Sequence, residues 1–183
     1  MIKIGIVGHR FFKDPGSAAY VANECDNLLT LFSSYDPELV VVSAIAAGAD
    51  SIFAQAALDR HFRLEIVRPF DNYVSDFITK PAKSNYELLR SAASSETVLN
   101  YTNRSATAYA TAMQWVARSS DILVAAWDGL PARGMGGTAD AVDYAVSARL
   151  NWIHIDVVNK QTFFHLSTLF PPVNTYNYYA VAP

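Results

Sequence analysis

Ile122-Leu123-Val124-Ala125-Ala126-Trp127 runs directly into Asp128-Gly129-Leu130-Pro131-Ala132-Arg133-Gly134-Met135-Gly136-Gly137-Thr138-Ala139-Asp140. The apolar run, closed by Asp-Gly, reads as a strand buried on both faces, the kind found in parallel sheets. A helical pattern follows from Ala139 to Leu150, so the segment is a strand, a glycine-rich loop and a helix in succession. Gly134, Gly136 and Gly137 are more glycine than a plain turn requires. Backbone N–H groups gathered at the positive end of a helix dipole suit a phosphate or another anion. Thr138 can cap the helix or offer its hydroxyl. No Lys-Ser/Thr follows for a Walker loop, and a dinucleotide fingerprint belongs after the first strand, so ATP hydrolysis is disfavoured.

Outward from this unit the chain alternates strand and helix. Ile2, Ile4, Ile6 and Val7, closed by Gly8, predict the first strand. Asp14-Pro15 starts a helix carrying Val21, Cys25, Leu28, Leu29 and Phe32 on one face. Leu39–Ala44 is a second strand, an alanine-rich helix follows Ala46-Ala47-Gly48-Ala49-Asp50, and Arg63–Val67 is a third strand. Further on, Pro81–Arg90 reads as helix, Thr97–Leu99 as a weak strand, Ser105–Arg118 as helix and Trp152–Val157 as the last strand. The expected fold is a Rossmann-like three-layer α/β/α sandwich with a mainly parallel sheet, its strand C-termini along one edge. Residues 1–160 form that domain. Residues 161–183 carry Phe163, Phe164, Phe170, Tyr176, Tyr178 and Tyr179 but no α/β unit. They are expected to cover an apolar surface of the domain or of a partner subunit, which makes a homo-oligomer the expected state.

The single Cys25 offers no internal disulfide and no Cys/His cluster has metal-ligand spacing, so a cytoplasmic setting without metal or cofactor is expected. The formal net charge of −3 gives no electrostatic footprint for duplex nucleic acid and no basic arm for a membrane. An anionic small molecule would have to be caught locally.

Three strand ends supply candidates. After the first strand, Gly8 allows backbone approach and Arg10 can fork onto phosphate or carboxylate oxygens beside His9; as plain structure, Arg10 would pair with Asp14. After the second, Gly48, Ala49 and Asp50 form a turn in which Asp50 can cap the helix. After the fifth, Trp127 offers a face for a base, and Asp128, beside Gly129, a carboxylate for ribose hydroxyls or proton transfer. Phe70, Tyr73, Tyr101 and Tyr109 are candidates for a lid or for stacking, while Met113 and Trp115 read as core.

In this order, Gly8-His9-Arg10, Ala47-Gly48-Ala49-Asp50, Arg68-Pro69-Phe70 with Tyr73, Asp121–Gly129 and Gly136-Gly137-Thr138-Ala139-Asp140 resemble the SLOG superfamily, which holds the DprA and lysine-decarboxylase-like (LOG) proteins. The resemblance covers roughly residues 1–157. It implies a Rossmann-like sheet and a cleft for a nucleotide or nucleotide-derived ligand such as ADP-ribose or a nucleoside monophosphate. Gly8, His9 and Arg10 would form one wall, Gly48, Ala49 and Asp50 the floor, and Trp127, Asp128, Gly129, Gly134, Gly136, Gly137 and Thr138 the phosphate end, with Arg68, Pro69 and Tyr73 alongside. The hydrolase branch carries Pro-Gly-Gly-x-Gly-Thr-x-x-Glu. Here Arg133, Gly134 and Met135 replace Pro-Gly-Gly, and the acidic positions fall on Asp140 and Ala141. The resemblance therefore implies ligand binding or sensing first. A nucleoside monophosphate N-glycosidase using Asp140 and Asp128, or an interaction module of a larger signalling or defence protein, is the alternative.

Overall fold

The computed structural model describes residues 1–132 and 136–166. In chain order the elements are β1 (Lys3–Gly8), α1 (Pro15–Ser33), β2 (Val40–Ser43), α2 (Ala49–Asp59), β3 (Arg63–Arg68), a 3-10 turn (Tyr73–Asp76) and α3 (Lys80–Ala92). They continue with β4 (Ser95–Val98), α4 (Ala106–Arg118), β5 (Ile122–Trp127), α5 (Thr138–Ser147), β6 (Asn151–Asp156) and β7 (Gln161–His165). The sheet runs β4-β3-β2-β1-β5-β6-β7. Every pairing up to β6 is parallel, and β7 returns antiparallel on β6. This is the three-layer Rossmann-like arrangement that the alternating pattern predicts.

Side chains of β5 alternate between two cores. Ile122, Val124 and Ala126 join Val21, Leu28 and Phe53 from α1 and α2 on one face. Leu123, Ala125 and Trp127 join Ala112, Val116, Ala141 and Ala145 from α4 and α5 on the other. Burial on both sides explains why these strands read as continuous apolar runs rather than alternating ones. Helix starts follow local chemistry: Asp14, Thr79 and Ser105 each accept a backbone N–H three residues on.

The chain leaves β1 to one side for β2, β3 and β4, then crosses back to place β5 on β1's other edge. That reversal opens a crevice at the C-terminal ends of β1 and β5, where ligands bind in open α/β sheets. Two glycines close the structure around it. A Cβ on Gly8 would lie 2.5 Å from the Ala49 Cβ and 2.6 Å from the Ala126 carbonyl oxygen. Gly48, at φ +84°, would place a Cβ 2.2 Å from the His9 carbonyl oxygen. The start of α2 therefore packs directly on the loop after β1.

β7 departs from the sequence reading, which assigned residues 161–165 to an aromatic extension. The Asp156 carboxylate accepts the N–H groups of Val158 and Asn159, and Lys160 N–H returns to the Asp156 carbonyl. This tight turn sends the chain back along β6 without a crossover helix, so the βαβ rhythm gives no signal for it. The rest of that extension, residues 167–183, lies outside the described residues.

Gly48→Ala should lower the urea midpoint of unfolding, at unchanged slope, by the equivalent of about 3 kcal/mol, because backbone strain and a backbone clash coincide. Gly129→Ala, at φ +72° with the nearest atom 3.6 Å from the new Cβ, should cost only about 1 kcal/mol. Equal losses at the two positions would refute the packing argument.

Candidate functional site

The crevice holds a cavity of about 450 Å³, within the range of small-ligand sites. Gly8, His9, Arg10 and Asp50 border it on the β1–β2 side, and Trp127, Asp128, Gly136, Gly137 and Thr138 on the β5 side. Ala44, Ala46, Pro69, Ala112 and Met113 make its apolar lining, with Tyr73 and Tyr109 among them. The α2 and α5 starts approach from opposite faces of the sheet, their parent strands separated by about 10 Å.

His9 is fixed at three points. Its N–H donates to the Ala126 carbonyl (2.8 Å), its carbonyl accepts the Ala49 N–H (3.0 Å), and its Nε2 accepts the Asp128 N–H (3.2 Å). An Nε2 that accepts carries no proton, so in this geometry the neutral ring is protonated on Nδ1. The Asp128 Oδ2 stands 3.4 Å from the same Nε2, while its Oδ1 accepts the Leu130 N–H. Asp128 is thus partly committed to shaping its own loop.

At the start of α5, the Asp140 Oδ2 accepts the N–H groups of Gly136 (2.6 Å) and Gly137 (3.1 Å). The cradle read from the glycines is narrower than expected, since its own helix supplies an anion to two of the donors. Thr138 and Ala139, whose N–H groups have no acceptor within the helix, border the cavity. Gly134 lies outside the described residues.

Arg10 does not pair with Asp14, which caps α1. Its Nη1 lies 3.6 Å from Asp76 Oδ2, and its Nε is buried with no hydrogen-bond partner among the described residues. Asp76, 1% exposed at its side chain, also faces Arg104 Nε at 3.8 Å and accepts the Tyr109 hydroxyl. Burial, together with that hydrogen bond, pushes the Tyr109 hydroxyl up to about 12. This hub was not legible in the sequence: Asp76 belongs to no motif and meets Arg10 only through the fold.

Asp50 does not cap α2. The N-cap is Gly48, and the Asp50 carboxyl hydrogen-bonds the Ala46 backbone instead. Burial raises its pKa to about 7, against the lowering influence of that hydrogen bond and of Arg10. Burial likewise pushes the Tyr73 hydroxyl well above its ordinary value.

Other expected site residues stand apart. Arg68 is bound to Glu96 at 2.5 Å and to the Asp71 carbonyl, away from the cavity lining. Gly48 and Ala49 act from behind, through their packing on Gly8 and His9, and Gly129 turns toward His154. Trp127 is buried; His154 lies against its ring at 4.0 Å between centroids, and its Nε1–H donates to the Leu130 carbonyl. Met113, read as core, borders the cavity, as do Phe11 and Lys13, which the sequence did not single out.

The Asp50 geometry carries a stability prediction. Its folded pKa, about 7, lies above the unfolded value of 3.8, so the folded state retains a proton that the unfolded state has lost. Stability therefore falls as pH rises from about 4 to about 7. Asp50→Asn should remove this loss and stabilise the protein at pH 8 by up to about 4 kcal/mol, with the difference vanishing near pH 4. Urea unfolding at both pH values measures it, and a pH-independent difference would contradict it.

No protein-family model matches the chain, and no curated protein sequence does. Solved structures do. DNA processing protein A from Streptococcus pneumoniae aligns at TM-score 0.57 and 18% identity over 82% of this chain and 49% of its own. DNA processing protein A from Helicobacter pylori, described for its single-stranded DNA binding mode, aligns at 0.56 and 19% over 82% and 63%. The Moco carrier protein of Chlamydomonas reinhardtii aligns at 0.52 and 16% over 85% and 76%. The chain thus spans about half to under two thirds of the length of the two DNA processing proteins. One expectation is corrected here: the net charge was read as arguing against duplex nucleic acid as a partner, yet the H. pylori protein of this fold binds single-stranded DNA, so net charge is no ground for setting nucleic acid aside. Net charge sums over the whole surface, whereas a single strand is held by local cations and stacking faces. The chain carries the Rossmann-like fold of the DprA proteins, as the SLOG resemblance implies.

Proposed function

We propose that the cavity binds a nucleotide-derived small molecule, its phosphate drawn between Arg10 and the first turn of α5 and its nucleoside portion set against the apolar lining. The observation that carries this reading is the placement of Arg10, its Nε buried and without a hydrogen-bond partner among the described residues, and of Thr138 and Ala139 at the start of α5 around one cavity at the β1–β5 crevice. Its volume of about 450 Å³ suits a ligand of nucleotide size. That the H. pylori protein of this fold binds a strand built of nucleotides supports the same ligand chemistry. Binding is favoured over N-glycoside hydrolysis because Asp140 is engaged by Gly136 and Gly137, and Asp128 by Leu130 and His9.

Calorimetric titration with AMP, ADP-ribose, a cyclic dinucleotide and a short single-stranded oligonucleotide tests the reading. At least one should bind. Arg10→Gln, with its fold checked by thermal melting, should weaken that ligand by about tenfold to a hundredfold, the range of a charge-assisted hydrogen bond. Absence of binding across the panel, or full affinity in Arg10→Gln, would refute it.

A further inference from the structure

Asp50 borders the cavity from the first turn of α2 and is 5% exposed, yet among the described residues no cation lies within ion-pair distance of it. Arg10 is its nearest compensating charge, and Arg10 is shared: its guanidinium reaches toward Asp76. Tyr73 and Asp76 from the 3-10 turn and Tyr109 from α4 complete this cluster. His9 borders the cavity on the same side as Asp50, Lys13 also borders it, Asp128 stands on the β5 side, and the apolar lining from the β2–α2 loop, Ala44 and Ala46, brings no charge. Two buried carboxyls therefore depend on Arg10. Asp76 has further support from Arg104 and Tyr109. Asp50 has only backbone hydrogen bonds and the distant field of the guanidinium.

An anionic ligand beside Arg10 adds a third negative group to the same cation. Because Asp50 is buried and little screened by water, the repulsion is relieved at this least supported carboxyl. We propose that Asp50 takes up a proton from solvent when an anion occupies the cavity beside Arg10, so that ligand binding at this site is proton-coupled. This rests on the cavity being a site for an anionic ligand, as argued above. Only a proton moves, from the buffer to an Asp50 carboxylate oxygen. Burial already places the Asp50 pKa at about 7, so in the free protein the group is about half protonated at neutral pH. Below that pH the proton is already in place and affinity is flat. Above it, each binding event must fetch one, and affinity falls.

ADP-ribose is the suitable probe. Its pyrophosphate does not titrate near neutrality, whereas a phosphomonoester has a second ionisation near pH 6. Titration calorimetry at pH 6, 7 and 8, in buffers of different ionisation enthalpy, counts the protons on the natural sequence without any variant. The expected result is uptake of about half a proton per ligand at pH 7, with the dissociation constant rising about tenfold from pH 6 to pH 8. Asp50→Asn should bind with no uptake and little dependence on pH. Binding without proton uptake would overturn the inference while leaving the ligand site intact. Uptake persisting in Asp50→Asn would overturn it by placing the proton elsewhere, His9 being the nearest candidate. Failure of ADP-ribose to bind under any condition would instead overturn the reading of the cavity, and this inference with it.

Discussion

The contact on which the site depends is the one between the loop after β1 and the first turn of α2. The Ala49 N–H reaches the His9 carbonyl at 3.0 Å, and neither Gly8 nor Gly48 has room for a Cβ. Because α2 begins hard against β1, Asp50 comes within the field of Arg10 instead of facing solvent. The same loop is tied to β5 through the His9 N–H and to the β5–α5 loop through Nε2. Three strand ends are thereby held together by one residue's backbone and ring, and the cavity inherits its shape from that clamp.

The electrostatics of the crevice run counter to the chain as a whole. A net charge of −3 describes the full surface. At the crevice, Arg10, Lys13 and the start of α5 stand with Asp50 and Asp128, while Asp76 and Asp140 lie just behind the lining on Arg10 and on the Gly136 and Gly137 N–H groups. Asp76 is held by the Tyr109 hydroxyl, Asp128 and Asp140 by the N–H groups of their own loops, and Asp50 by backbone hydrogen bonds. The least stabilised member of this set is Asp50, so on the reading proposed above the charge of a ligand would be felt there first.

Most of the architecture was legible because its signals are local. Ile4 and Ile6, Val40–Val42 and Ile122–Trp127 announce strands buried on both faces, while Asp14-Pro15 and Ser105 announce helix starts. The rule that ligands gather at the C-terminal ends of parallel strands pointed to Gly8, His9, Arg10, Trp127 and Asp128, and the fold brings these residues around one cavity. What was not legible depends on long-range partners. Arg68 was expected alongside the cleft with Pro69 and Tyr73, but Glu96 from the adjacent strand binds it. Asp76 has no motif, and its meaning comes from Arg10, 66 residues away, and Tyr109, 33 away. β7 was missed because an antiparallel return needs only a turn, here one built on the Asp156 side chain.

Asp140 turns the donors of the glycine-rich loop inward. Set at the third position of α5, its short carboxylate folds back onto the Gly136 and Gly137 N–H groups. A longer side chain at or near this place could extend past the helix start toward a ligand. The inward contact stabilises the helix N-terminus in the manner of a cap. It also sets a negative charge where the dipole would otherwise attract an anion. The glycine-rich loop thus loses strength as a cradle, and on the proposed reading a phosphate would be held by the start of α5 and, above all, by Arg10. Since Arg10 already serves Asp50 and Asp76, anything that draws on it must act on those carboxyls as well. The departure from the hydrolase motif in the α5 loop and the proton balance at the start of α2 are in this sense two sides of one electrostatic arrangement.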